Sequence, residues 1–264
     1  MATSCHEANQ VRSAASECGS MCDMPSWAWH ALRVEGRRAR QARAPSCAVV
    51  LLDRPEQGLT AIIDVRANDF SRGELEAEGK QIGRDIADAL DKRAGSEQLA
   101  HSLEEAGARL FARNKKLGRH AGACLSATRF DDDGVSIAHI GDGVVFSISP
   151  SAHRRATIQH TLRGMYEGTT DPAILQALET SPGLLVRMAG VEERASVDFQ
   201  HLSRSPGDML VMTDGGLLLS VDDRQIASIA SRAQSVALIV EQIAELAASK
   251  GIQHDFAVAC GRYL

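Results

Sequence analysis

Apolar positions in the first half of the chain follow two different periods. Residues 46–53 (SCAVVLLD) and 59–65 (LTAIIDV) are short apolar runs separated by Pro55 and Gly58. Two such runs around a turn are typical of a β-hairpin. Residues 73–94 and 96–118 instead repeat their apolar positions at helical spacing, and Gly118 is a natural end for the second segment. The pattern therefore predicts a hairpin followed by two amphipathic helices.

The second half of the chain returns to apolar runs and then to helices. Further strands are predicted over residues 122–130, 134–149, 196–203, 209–212 and 254–264, and further helices over residues 222–230 and 233–249. Residues 160–182 form an irregular insertion with a short helix at 172–178. The turn DDDG at 131–134 lacks the ligand spacing of a calcium loop, so we interpret it as a hairpin turn. Strands grouped with strands favour antiparallel sheets with helices outside them.

Composition narrows the class of protein. The 264 residues are 44% hydrophobic, which supports a sizeable core, and the net charge of −5 argues against nucleic-acid binding. Cys47, Cys124 and Cys260 lie in apolar surroundings and are interpreted as reduced core thiols. No hydrophobic leader and no membrane-length apolar stretch is present, so we expect a cytoplasmic protein with no membrane contact. Residues 1–26 lack any period and are interpreted as a flexible extension before one domain over 27–264.

Three acids follow apolar runs where a carboxylate is unexpected. Asp64 follows AII, Asp142 follows IAHIG, and Asp214 follows LVMT. Because a lone buried carboxylate is unfavourable, such acids face a cavity, cap a turn or bind a metal. Asp142 and Asp214 both adjoin glycine, so a capping role and a binding role both remain open.

The strings around these acids resemble a known family. The string IAHIGDGVVFSI is similar to a strand–GDS–strand motif, and the string LLVRMAG is similar to the motif L-x-R-x-x-G. The string TDG is similar to SDG, and HDFAVAC is similar to a closing D-N or D-D strand. At the start of the domain, GRRARQARA is similar to GRR-x-x-x-E-D-A. In this order, over residues 27–264, they resemble the bacterial branch of the PPM-type metal-dependent serine/threonine protein phosphatases, also called phosphatase 2C. The resemblance implies an α+β fold, an α-β-β-α sandwich of two antiparallel sheets flanked by helix pairs.

The same resemblance implies a site and its chemistry. Two Mn²⁺ or Mg²⁺ ions would bridge and activate a water that attacks a phosphoserine or phosphothreonine. Asp64 and Asp214 match catalytic metal-binding acids, and Val65 matches a residue that binds metal through its carbonyl oxygen. His254 and Asp255 stand at the closing ligand pair, and Asp142 belongs to the GDS-like motif. Arg38 matches the arginine that holds the phosphate.

Several ligand positions depart from the family pattern. The opening E-D pair falls on Ala42 and Arg43, and the D-G-H-G-G string is here Asp64-Val65-Arg66-Ala67-Asn68. The acid expected after the SDG motif falls on Leu218, and His254 takes the place of an aspartate. Imidazole is a poorer ligand than carboxylate for Mg²⁺ or Mn²⁺. Arginines beside the remaining acids can neutralise them without a metal.

Three functional hypotheses follow from these departures. The first is a pseudophosphatase that needs no cofactor and binds a phosphoprotein or regulatory partner. The second is a divergent but active Mn²⁺- or Mg²⁺-dependent phosphatase. The third is an unrelated binding or structural domain, which a fold without two facing sheets would favour.

Overall fold

The computed structural model describes residues 12–14, 27–34, 46–54, 57–68, 70–91, 97–131, 134–252 and 254–264. The opening GRR motif with Arg38, the positions Ala42 and Arg43, and the helix start expected at Ser96 lie outside these residues. Their proposed roles remain predictions.

Two antiparallel sheets form the centre of the fold. The described strands are β1 (Arg12–Ala14), β2 (Trp27–Val34), β3 (Ser46–Arg54), β4 (Leu59–Ala67), β5 (Ala121–Phe130), β6 (Val135–Ile140), β7 (Val144–Ile148), β8 (His153–Arg155), β9 (Asp198–Leu202), β10 (Met209–Thr213) and β11 (Phe256–Tyr263). One sheet has the order β3-β4-β5-β6-β9 and the other β1-β2-β11-β10-β7-β8. The hairpin predicted from the first apolar runs is β3–β4, in which Val49 pairs with Asp64.

The described helices are α1 (Arg72–Leu90), α2 (Gln98–Leu117), α3 (Leu162–Met165), α4 (Pro172–Thr180), α5 (Gly215–Leu218), α6 (Asp223–Arg232) and α7 (Val236–Ser249). Helices α1, α2, α6 and α7 cover the outer sides of the sheets, whereas α3 and α4 lie in the segment between β8 and β9. Ser71 begins α1 with a capping box to Glu74, and Gly118 ends α2 with a left-handed φ of 62°. None of the helices in the described segments has the length and apolar character that crossing a bilayer requires.

Three apolar cores separate four layers. Leu75 and Leu103 of α1 and α2 pack with Ile63 on the outer side of the five-stranded sheet. Helices α6 and α7 pack on the outer side of the six-stranded sheet in the same way. Ile62 and Met212 lie in the core between the two sheets. The α-β-β-α sandwich predicted from the sequence is confirmed.

Strand alternation determines where the acids point. In β4, Ile63 and Val65 belong to the helix-facing core, whereas Ile62 belongs to the core between the sheets. Because successive side chains of a strand point to opposite faces, Asp64 and Arg66 share the inner face with Ile62. The acid therefore lies at one rim of the space between the sheets.

Candidate functional site

Strand ends bring the predicted acids to one edge of the sandwich. Asp64 comes from β4, Asp142 from the β6–β7 turn, Asp214 from the end of β10, and Asp255 from the residue before β11. Their exposed fractions are 4%, 8%, 2% and 4%. Buried carboxylates at such spacing need compensating donors or cations.

Arg66 supplies a cation between two of these acids. Its Nε donates to Asp64 Oδ2 over 2.8 Å, and its Nη2 donates to Asp64 and to Asp142 Oδ2, the latter over 2.9 Å. Burial by itself would lower the pKa of Arg66, but the neighbouring acids raise it, so the guanidinium stays charged. A single planar group thus bridges the two carboxylates.

Asp64 retains one unused oxygen. Its Oδ1 is buried and accepts no hydrogen bond from the described residues. Burial raises the pKa of Asp64, Arg66 opposes that rise, and Asp142 adds to it. Orphaned acceptors of this kind are rare in folded interiors and indicate strain or a binding position.

A buried histidine pair holds the turn that carries Asp142. The Gly141 amide donates to His160 Nδ1 over 3.0 Å, and His139 Nε2 donates to the Gly141 carbonyl over 3.0 Å. Burial, followed by the neighbouring His160, lowers the pKa of His139 to about 4. His139 therefore acts as a neutral donor, and His160 accepts through Nδ1, so the two rings together position the turn. His160 also contacts Asp198 over 3.0 Å, which ties the turn to β9.

Gly141 must be glycine for this turn to form. Its φ is +113°, and a Cβ there would lie 2.4 Å from the Cβ of Cys124. A side chain at this position would clash with β5 as well as strain the backbone. The close approach places Asp142 beside Cys124 and Asp64.

Asp214 is bound by backbone amides. As the residue before α5, it accepts from the amides of Gly216 and Leu217 through Oδ1, over 2.6 and 3.2 Å. Its Oδ2 accepts from the amide of Ala257 in β11, over 2.5 Å. Burial, followed by repulsion from Asp64, raises the pKa of Asp214 to about 7, and the backbone hydrogen bonds limit the rise. The capping role that the glycine pair suggested is present in the structure.

Asp255 belongs to a separate ion-pair network. Arg72 at the start of α1 donates to its Oδ2 over 2.9 Å, and Arg33 of β2 lies 3.7 Å away. Arg33 and Arg72 also contact Glu76, over 2.7 and 3.1 Å respectively. The network joins α1 to the ends of β2 and β11.

The other predicted ligands occupy different surroundings. The Val65 side chain is fully buried in the core under α1. His254 is half-buried, and its Cβ lies 3.7 Å from the position that a Cβ on Gly216 would occupy. Within the described ranges, no side-chain hydrogen bond joins His254 to another residue. The geometry thus groups Asp64, Asp142 and Asp214 with Arg66 and places Asp255 in its own cluster.

Cys124 lies at this site although the sequence indicated only a core thiol. One ligand atom each of Asp64, Cys124 and Asp142 lie within 4.8 Å of one another. Burial and then Asp142 raise the pKa of the Cys124 thiol well above its ordinary value. Cys124 pairs with Asp64 across β5 and β4, so the strand register was the signal that could have identified it.

Two comparisons of the chain with known sequences find no match. No family model matches it, and no curated protein does. Solved structures match instead, at low identity.

Among them is PppA, described as a key regulatory component of T6SS in Pseudomonas aeruginosa, with 17% identity, coverage of 91% of this chain and 99% of that chain, and a TM-score of 0.70. The PPM Ser-Thr phosphatase MsPP from Mycobacterium smegmatis, in complex with cacodylate, has 19% identity, coverage of 90% and 98%, and a TM-score of 0.70.

The catalytic domain of the serine threonine protein phosphatase PstP, in complex with 2 manganese ions, has 18% identity, coverage of 89% and 97%, and a TM-score of 0.69. At these identities the matches establish the fold. It is the fold of the bacterial PPM-type serine/threonine phosphatases, as the sequence motifs predicted.

Proposed function

We propose that this chain is a phosphatase 2C-like pseudophosphatase that binds a phosphoprotein or regulatory partner without hydrolysing phosphate. The observation that carries the proposal is the Arg66 guanidinium, which bridges Asp64 and Asp142. A guanidinium supplies the positive charge that two acids at a metal site would otherwise take from cations.

The other candidate metal ligands fit a Mn²⁺ or Mg²⁺ pair poorly. Both carboxylate oxygens of Asp214 accept hydrogen bonds from backbone amides, and Asp255 is paired with Arg72. The Cys124 thiol belongs to the same candidate ligand group as Asp64 and Asp142. Mn²⁺ and Mg²⁺ prefer hard oxygen ligands, whereas a thiol suits softer ions. This donor set supports a site that needs no metal pair.

The second candidate is a divergent active phosphatase. The group of Asp64, Cys124 and Asp142 favours it, because a single ion that displaced Arg66 would find three ligand atoms close together. In the first candidate Arg66 takes the place of the metal, whereas in the second a metal ion displaces Arg66 from Asp64 and Asp142.

Phosphate release and metal titration distinguish them. We expect wild-type protein with millimolar Mn²⁺ to release no phosphate from p-nitrophenyl phosphate or a phosphothreonine peptide. Calorimetry should show no two-site Mn²⁺ isotherm for the wild type, whereas Arg66→Ala should gain Mn²⁺ binding because it leaves two acids uncompensated. Turnover by the wild type that Asp64→Asn abolishes would overturn the proposal in favour of the active enzyme.

A further inference from the structure

A groove with basic side chains opens beside Arg66. It lies between the C-terminal end of α2, the start of β5 and the loop 188–191, and its volume is about 700 Å³. We call it the α2 groove. Arg66 lines both this groove and the acidic site, so the two are continuous through one side chain.

Basic groups surround the α2 groove. Lys115, Arg119 and His120 line it together with Arg66, and no lining residue among those the structure describes is acidic. Lys115 is exposed and forms no ion pair within the described segments. Arg119 lies over the Phe70 ring at 5.0 Å and pairs with the exposed Glu74 over 3.3 Å. The chain as a whole carries a net charge of −5, so this concentration of basic groups is local.

Arg66 has donor capacity left for a ligand. Its bonds to Asp64 and Asp142 use Nε and Nη2. Its remaining terminal nitrogen, Nη1, makes none of those bonds, and 32% of the side chain is exposed. A guanidinium with one edge fixed by carboxylates can present its other edge to a phosphate oxygen.

Apolar residues form one wall of the α2 groove. Met188 and Val191 close over Gly122 of β5, where an added Cβ would lie 2.9 Å from the Met188 Cε. Val191 is 55% exposed, and Phe111 of α2 also lines the groove. A ligand that fits this mixture combines an anionic group with a neighbouring apolar side chain.

Buried hydrogen bonds fix the walls relative to one another. Asn114 of α2 donates to the carbonyls of Ala121 and Gly190, over 2.7 and 3.1 Å. Ala123 and Ala189 exchange two backbone hydrogen bonds of 2.9 Å. The groove is therefore built into the fold, and its basic side chains extend from a fixed frame.

We propose that the α2 groove binds a phosphorylated serine or threonine segment of a partner protein, with an apolar residue beside the phosphorylated one. Lys115, Arg119 and Arg66 hold the phosphate, and the wall formed by Phe111, Met188 and Val191 holds the apolar side chain. The inference rests on the proposed function, since it names the kind of partner and the surface that receives it. Charge complementarity carries the assignment to an anionic ligand.

Fluorescence anisotropy in EDTA tests the proposal without metal-dependent turnover. The probe is a labelled peptide with one phosphothreonine between leucines, compared with its unphosphorylated form and with a form that has glutamate in place of phosphothreonine. We expect the phosphopeptide to bind about tenfold more tightly than either control. Lys115→Glu should weaken its binding about tenfold, whereas Lys116→Glu, a neighbouring exposed lysine outside the groove, should change it less than about twofold.

A second pair of variants tests the apolar wall. Val191→Asp should weaken phosphopeptide binding, and Leu219→Asp, which alters an apolar residue that is 76% exposed and outside the groove, should leave it unchanged. The assignment of the groove would be overturned if Lys115→Glu and Lys116→Glu, or Val191→Asp and Leu219→Asp, had equal effects on binding. It would also be overturned if the glutamate peptide bound as tightly as the phosphopeptide, or if the phosphopeptide did not bind. A different result would contradict the proposed function itself, namely metal-dependent phosphate release by the wild type that Asp64→Asn abolishes.

Discussion

Asp64 and Asp214 lie at the same rim and are almost equally buried, yet different groups compensate them. Asp214 accepts hydrogen bonds from three backbone amides, at Gly216, Leu217 and Ala257. Among the described residues, Asp64 receives its donors from one side chain, Arg66, and its other oxygen accepts no hydrogen bond. One acid is thus part of the backbone framework, and the other depends on a single residue.

These different partners give the two acids different roles in the stability of the fold. A carboxylate that caps a helix and holds a neighbouring strand stabilises the fold whatever the chemistry of the site. A carboxylate compensated by one arginine loses its partner through a single substitution. We therefore expect the two acids to respond differently when their partners are removed.

The largest expected effect is on stability when Asp214 is removed. Asp214→Ala leaves three amide donors without an acceptor, and each unsatisfied buried donor is unfavourable by about 1–3 kcal/mol. We expect the free energy of unfolding to fall by about 3 kcal/mol or more, as measured by urea denaturation.

Asp222→Ala is the matched control for that loss. Asp222 caps α6 in the same way but is exposed. Its removal should lower the free energy of unfolding by about 1 kcal/mol. A loss for Asp214→Ala no larger than this would show that the backbone bonds of Asp214 contribute little.

Removal of Arg66 should have the next largest effect. Arg66→Met leaves Asp64 and Asp142 buried side by side without the guanidinium that bridges them. Loss of one partner from a fully buried pair is unfavourable by about 3–5 kcal/mol, and the partial exposure of Arg66 reduces our expectation to about 2 kcal/mol. Urea denaturation measures the change.

Two comparisons sharpen that result. Arg155 forms an analogous two-bond contact with Asp223, but at an exposed site, so Arg155→Met should lower the free energy of unfolding by less than about 1 kcal/mol. The double variant Asp64→Asn/Arg66→Met should be more stable than Arg66→Met alone, because it removes one of the two uncompensated charges. An equal or lower stability for the double variant would contradict a charge-compensating role for Arg66.

Local patterns in the sequence predicted most of the layers. The apolar runs predicted the β3–β4 hairpin, the apolar positions at helical spacing predicted α1 and α2, and Gly118 predicted the end of α2. The strand β2 was not identified, because its sequence WAWHALRV mixes aromatic, basic and aliphatic residues without a clean alternation. The acids at strand ends were visible for the same local reason, since each interrupts an apolar run.

The side chains that form hydrogen bonds with those acids were harder to predict from the sequence. The expectation that arginines neutralise Asp64 and Asp214 agrees with the bond from Arg66 to Asp64, two residues away. It does not describe Asp214, whose oxygens accept from backbone amides instead. The bond from Arg66 to Asp142 spans 76 residues, and the bond from Arg72 to Asp255 spans 183. Such contacts depend on strand order, which pairs β11 with β2 and β10 and which no local pattern encodes.

A further expected effect concerns the pH dependence of stability. The pKa of Asp214 is raised from 3.8 to about 7, with burial as the main cause. Because the folded protein holds this proton more tightly than the unfolded chain, the contribution of Asp214 to stability is greatest below pH 4 and declines as the pH rises towards 7. The slope from this group is at most about 1.4 kcal/mol per pH unit.

His139 titrates with the opposite sign, so the two groups must be separated experimentally. Its pKa is lowered from 6.5 to about 4, and the unfolded chain therefore binds its proton more tightly between those values. Stability consequently rises with pH through that window for His139 and falls for Asp214. Urea denaturation of wild type, Asp214→Asn and His139→Gln from pH 4 to 7.5 should give difference curves of opposite slope. Parallel curves would contradict at least one of the two shifts. In addition, ¹³C NMR of the Asp214 carboxyl in the wild type measures its pKa even where a variant does not fold.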